Sequence, residues 1–188
     1  MLVRVHRVAG QPRASPGADR LPAACDLYDR AVSLGSISKS YGLPGLRIGW
    51  IASHDDALRE AVSTLKDYTT ICASAPSEFL TALALRNRHA LLDRNLAIVR
   101  HNLPLLDAFF DRHGETFQWV RPTASPIGFP RVTGIDNLAR YCARLAEIGV
   151  LLLPGSVYDQ PDHVRIGFGK ADMSEALDLF EASLTGSQ

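Results

Sequence analysis

The sequence predicts an α/β protein built in two parts. Of its 188 residues, 46 % are hydrophobic and 21 % charged, the balance of a chain that buries a core. Short runs rich in Ile, Leu, Val and aromatic residues alternate with longer stretches of helical periodicity. No internal repeat organises them, and the boundary between the two parts falls near Arg86 to Ala90.

Residues 1–20 carry Arg4, Arg7, Arg13 and Arg20 with no acid before Asp19, and Gln11 to Ala18 mixes Pro, Gly, Ser and Ala without apolar periodicity. This segment reads as a disordered or non-native tail. From Ala31, "AVSLGS" suits a strand running into a loop, and "LRIGWIAS" suits a second strand. Next, "HDDALREAVSTLKDY" opens on acids that favour a helix N-terminus and spaces Ala57, Leu58, Ala61, Val62 and Leu65 at helical intervals. A further helix starts after Pro76 and runs through "SEFLTALALRN". The longest spans Ala90 to Arg112, with Leu91, Leu92, Leu96, Val99, Leu103, Leu106 and Phe109 on one stripe and a disturbance expected at Pro104. Short strands follow in "TFQWVRP", "IGFPRV", "VLLLPG" and "HVRIGFG", with helices over Ile135 to Ile148 and Met173 to Leu184. The organisation is therefore a tail over 1–20, a first part over 21–88 and a small α/β domain over 89–188.

Twenty basic and twenty acidic residues cancel, so no global field favours nucleic acid or an anionic membrane. Cys25, Cys72 and Cys142 are odd in number and far apart, which argues against a disulfide framework or a zinc site. His54, His89, His101, His113 and His163 lack metal-ligand spacing, so no metal is expected. The start has no apolar stretch long enough for a secretory leader, and no later segment approaches a membrane span. A cytoplasmic protein is the expectation.

One lysine stands apart. In "SISKSYGLPGLRIG", Lys39 lies among Ser36, Ser38 and Ser40 and is followed by Gly42, Pro44, Gly45 and Gly49, whereas a lysine kept for solubility sits among charges on a helix face. By itself Ser-x-Ser-Lys is an ordinary loop. The wider window "SLGSISKSYGLPGLRIGWIAS" resembles the lysine segment of the class I/II aminotransferases, the fold-type I enzymes that use pyridoxal 5'-phosphate. Ser36, Ser38, Lys39, Tyr41, Gly42, Gly45, Arg47 and Gly49 match its pattern of Ser-x-Ser-Lys-x-aromatic-Gly-x-x-Gly-x-Arg-x-Gly.

The resemblance implies that Lys39 is the catalytic amine, which condenses with the cofactor aldehyde, and that Ser36, Ser38 and Arg47 join it in holding the cofactor. The chemistry suits these residue types. A neutral amine is a nucleophile toward an aldehyde, and hydroxyls with a guanidinium satisfy a phosphate. The resemblance also implies the C-terminal part of the pyridoxal-phosphate transferase fold: a remnant of the large-domain sheet carrying the lysine loop, then the small α/β domain.

Near the end, "VLLLPGSVYDQPDHVRIGFG" resembles the family segment in which an arginine clamps the substrate α-carboxylate, and Arg165 holds the matching position. Read alone, Arg165 is a surface or sheet-edge arginine paired with Asp162 or Asp159. Phe129, in the preceding "SPIGFPRV", reads as core rather than site.

The family's remaining cofactor contacts, among them an acid for the pyridine nitrogen, have no counterpart upstream of Lys39. The expectation is therefore a truncated aminotransferase-like protein for an amino acid/keto acid pair, inactive without its other half. Other fold-type I activities stay open as alternatives: a lyase, a decarboxylase, or a cyclising enzyme of amino-acid or natural-product biosynthesis. So does a non-catalytic fragment acting as a binding module. The resemblance implies a homodimer, although this chain lacks regions that build much of that contact.

Overall fold

The computed structural model describes residues 22–185, so the expected tail lies outside the described residues. The chain divides into two compact units, the first ending at Asn95 and the second beginning at Leu96.

In the first unit, β1 (Ser33–Ser36) and β2 (Gly49–Ala52) form an antiparallel ribbon with Ser33 opposite Ala52 and Ser36 opposite Gly49. The Trp50 indole occupies the space a side chain at Gly35 would need, which is why that position has none. The buried Ser53 hydroxyl donates to the Ala31 carbonyl at 2.9 Å and accepts from the Asp55 N–H at 3.2 Å, tying off the ribbon's open end. Asp55 then caps α1 (Asp56–Thr69), its carboxylate accepting from the Leu58 N–H at 3.0 Å. Pro76 sits in the first turn of α2 (Ala75–Arg86), where its missing N–H costs nothing.

None of the α1 side chains is buried, and Leu65 and Tyr68 are 63 % and 87 % exposed. Apolar groups left in water promote association rather than folding. Replacing both by lysine is expected to leave the melting curve within about 0.5 kcal/mol of the parent and to lower self-association by light scattering. A large loss of stability would mean that this helix is packed in solution.

A long helix, α3 (Arg88–Arg112), continues through Pro104, so the proline does not end it. Pro104 is exposed, so its ring displaces no core side chain, and Val99, Leu106 and Phe109 remain buried on one stripe.

The second unit has a single core. β3 (Phe117–Gln118) pairs with β5 (Arg131–Val132), while β4 (Ile127–Gly128), β7 (Val164–Gly167) and β6 (Leu153–Pro154) form an antiparallel three-stranded sheet with β7 in the middle. The run "IGFPRV" was expected as one strand and is two, because Pro130 between them has no N–H to donate. Its carbonyl still accepts from the Val164 N–H at 3.1 Å. α4 (Leu138–Glu147) starts later than expected, where Asn137 caps the Arg140 N–H at 2.9 Å, and Gly149 at φ +93° lies just beyond its end. α5 (Met173–Thr185) closes the unit.

Phe109, Phe168 and Phe180 are fully buried, with the Phe109 and Phe180 rings stacked at 5.0 Å and Phe110 edge-on to Phe109 at 5.3 Å. Rings of this size dominate core energetics, and truncating one to alanine costs about 3–5 kcal/mol. The Trp119 ring covers Gly128 and its indole N–H donates to Asp107 at 2.8 Å.

At the rim, Glu181 accepts from Arg112 through both carboxylate oxygens, at 3.0 and 3.1 Å, and meets the His113 ring at 3.0 Å. The Arg112 hydrogen bond, then the one to His113, holds the Glu181 carboxyl below its usual range. A depressed carboxylate stabilises the fold above its unfolded pKa, and that contribution is lost as pH falls through the folded value. Thermal melts from pH 7 down to pH 3 are expected to fall less steeply in Glu181→Gln than in the parent. Parallel slopes would contradict this. No described helix is long and apolar enough to cross a membrane.

Candidate functional site

The lysine loop closes the β1–β2 ribbon. The Ile37 N–H donates to the Ile48 carbonyl at 3.2 Å, one step beyond the Ser36–Gly49 pair, so the next positions in register are Ser38 and Arg47. The chain then tightens. The Gly42 N–H donates to the Lys39 carbonyl at 3.0 Å and the Leu43 N–H to the Ile37 carbonyl at 3.2 Å. Gly42 takes φ +69°, a conformation glycine adopts without steric cost. A 3₁₀ turn over Pro44–Leu46 leads to Arg47, which is left-handed at φ 54° and ψ 35°.

An arginine in that region is strained by about 1–2 kcal/mol, the kind of local strain that gathers at functional sites. Its Nη1 donates to the Pro44 carbonyl at 3.0 Å, leaving the rest of the five-donor fork for another group. The hydroxyls of Ser36 and Ser38 have no hydrogen-bond partner among the described residues.

The sequence contains three lysines, Lys39, Lys66 and Lys170. Lys66 donates to the Ile71 carbonyl at 2.8 Å and Lys170 lies 3.6 Å from Asp172. Lys39 is exposed, and its amine alone has no protein partner among the described residues. The structure thus places Ser36 at the end of β1 and Ser38, Lys39 and Arg47 on the loop that follows it, all in the first unit.

Arg165 lies in the second unit, half-buried on β7 between the buried Val164 and Ile166. That alternation turns it to the other face of the sheet. It is opposite Leu153, and the register Ile127–Gly167 and Gly128–Ile166 continues to Phe129 opposite Arg165. Arg165 is not at a sheet edge, because β7 is the central strand, and Asp162 is already engaged. Arg131 Nε and His163 Nδ1 each approach Asp162 at 2.7 Å, and the Arg131 hydrogen bond, then His163, pulls its carboxyl below the usual range. Phe129 is 37 % exposed and stacks on the His163 ring at 4.9 Å, so it is not the core residue expected.

Two residues escaped the sequence reading. Asn95 on α3 donates from Nδ2 to the Ser40 carbonyl at 2.9 Å, and the fully buried Asn102 donates to the carbonyls of Phe168 and Lys170 at 3.0 and 2.5 Å. The signal was present as a polar amide on or beside an apolar helical stripe, but partners 55 and 66 residues away are invisible locally.

The fold and the lysine loop define a member of the class I and II aminotransferases, to which this chain belongs: the family model described as Aminotransferase class I and II matches residues 7–179. Among curated relatives it is 35 % identical over 158 residues to capreomycidine synthase of Streptomyces vinaceus, covering 84 % of this chain and 38 % of that protein. Among solved structures, a PLP-dependent aminotransferase from Streptococcus suis 89-1591 superposes with a TM-score of 0.81 at 30 % identity, covering 88 % of this chain and 44 % of that one. The PLP-dependent cyclase OrfR matches with a TM-score of 0.81 at 31 % identity, covering 96 % and 49 %. The chain spans about two-fifths of the length of the curated relatives it matches.

Proposed function

We propose that this chain supplies the lysine loop and the carboxylate-binding arginine of a pyridoxal-phosphate-dependent aminotransferase acting on an amino acid/keto acid pair. The observation that carries this is the Lys39 amine, without a protein partner among the described residues, on the same short segment as two unpartnered hydroxyls and the strained Arg47. That donor set fits the group: hydroxyls and a guanidinium for a phosphate, an amine for an aldehyde. When bound, the cofactor supplies the aldehyde and an electron sink for bond cleavage at the substrate Cα.

This chain's own residues supply part of the rest. Ser36, Ser38 and Arg47 hold the phosphate dianion through charge-assisted hydrogen bonds. Lys39 Nζ is the amine that would hold the cofactor aldehyde and, when free, would serve as the base at the substrate Cα. Arg165 would fork onto the substrate α-carboxylate through two parallel hydrogen bonds. Burial of Val164 and Ile166 on either side keeps Arg165 from turning into the core.

The cyclising alternative has specific support, since capreomycidine synthase and the cyclase OrfR are among the relatives. One lysine loop serves both chemistries, and the choice lies with residues around the substrate side chain. A cytoplasmic location and a homodimeric assembly belong to this reading, the first supported by three widely spaced cysteines that are all free in the structure.

The test uses the full chain and pyridoxal phosphate. A visible absorption band should appear on mixing, and borohydride reduction followed by peptide mass spectrometry should place the label on Lys39. A colourless, unlabelled protein with a cooperative melt would instead be a non-catalytic binding module.

A further inference from the structure

The geometry points to Asn95 as the positioning residue of the Lys39 turn, an inference that rests on the reading of Lys39 as the cofactor's amine. Three backbone carbonyls around Lys39, those of Ile37, Lys39 and Ser40, are each held by a different donor. The Ile37 carbonyl receives the Leu43 N–H and the Lys39 carbonyl receives the Gly42 N–H. The third belongs to Ser40, inside the turn, which no backbone donor reaches among the described residues; its partner is the Asn95 side-chain amide at 2.9 Å, from a helix 55 residues further along the chain.

The amide has one orientation. Arg94 Nη1 donates to its Oδ1 at 3.1 Å, so the NH₂ end is the one turned to Ser40. The fit is close as well, because a Cβ on Gly42 would stand 3.2 Å from Asn95 Nδ2. Glycine at this position thus serves both the positive φ and the approach of the amide.

The result is a backbone pinned on both sides of Lys39 beneath a side chain that nothing in the described protein holds. A base that must swing between carrying a cofactor and moving a proton needs such a fixed pivot, since an amine displaced by about 1 Å loses its reacting geometry. Asn95 touches no reacting atom, so its effect passes through the turn.

Two readouts separate this inference from the cofactor reading. Amide hydrogen exchange at Gly42 reports on the turn without any cofactor, and it should quicken by about tenfold in Asn95→Asp, which keeps the shape but loses the donor. Exchange in the core strand β7 should stay as in the parent. Asn95→Gln, which retains an amide donor, should recover part of the protection. Arg94→Ala, an exposed change that only frees the amide to rotate, should give a smaller increase and serves if the Asp variant does not fold. With pyridoxal phosphate added, the borohydride-fixed label on Lys39 should need about tenfold more cofactor in Asn95→Asp than in the parent. Equal Gly42 exchange in parent and variants overturns the positioning role whatever the label does. A protected turn with no label on Lys39 in the parent overturns the cofactor reading and leaves the positioning of the turn by Asn95 standing.

Discussion

Lys39→Arg is expected to abolish the borohydride-fixed label altogether while leaving the thermal melt unchanged. The substitution keeps the positive charge and nearly the length, so any role of Lys39 as a simple cation beside an anion survives it. A guanidinium does not give up its proton in a protein and so offers no nucleophilic nitrogen to an aldehyde. Lys39 is exposed and unpaired among the described residues, so the fold should not register the change beyond about 0.5 kcal/mol. The background is small, because the only other lysines are Lys66, bonded to the Ile71 carbonyl, and Lys170, beside Asp172. A label that persists in Lys39→Arg and maps to either of them would mean that the cofactor is captured by incidental surface chemistry.

The second large effect falls on stability. Asn102 is fully buried and its amide donates to the Phe168 and Lys170 carbonyls, just beyond the strand that carries Arg165. Leucine fills nearly the same volume, but it leaves those carbonyls without the donor, at about 1–3 kcal/mol for each group that stays buried. One term acts in the opposite direction. The Asn102 Oδ1 has no partner among the described residues, so removing it relieves a buried acceptor. Two lost bonds against one relieved atom leave Asn102→Leu less stable by ~2 kcal/mol, a fall in melting temperature of roughly 10 °C for a unit of this size. Asn102→Asp should be worse, because it removes the donors and buries a charge among carbonyl oxygens. A leucine variant as stable as the parent would show that the amide contributes nothing net.

These two residues also mark how much the sequence disclosed. The loop around Lys39 was legible because its chemistry is local: serines, glycines, Pro44 and Arg47 fall within a dozen positions, and each residue type has a narrow use there. β7 was legible through its alternation, with Val164 and Ile166 inward and Arg165 outward. The left-handed turn at Arg47 was not, since nothing in an arginine announces positive φ. Neither were Asn95 and Asn102, whose roles exist only once distant backbone carbonyls are brought to them. Phe129 was misjudged for a related reason. Its apolar ring suggested the interior, but the register with Arg165 and the stack on His163 hold it on the sheet's other face.

Pro130 carries a consequence beyond the interruption of a strand. The Pro130 carbonyl faces β7, where the Val164 N–H reaches it, so the N–H its ring lacks is a rung missing from that inner ladder and not from the outer side. Just beyond it, Arg131 and Val132 pair on their other side with β3, so one short segment of chain joins the two sheets of the unit.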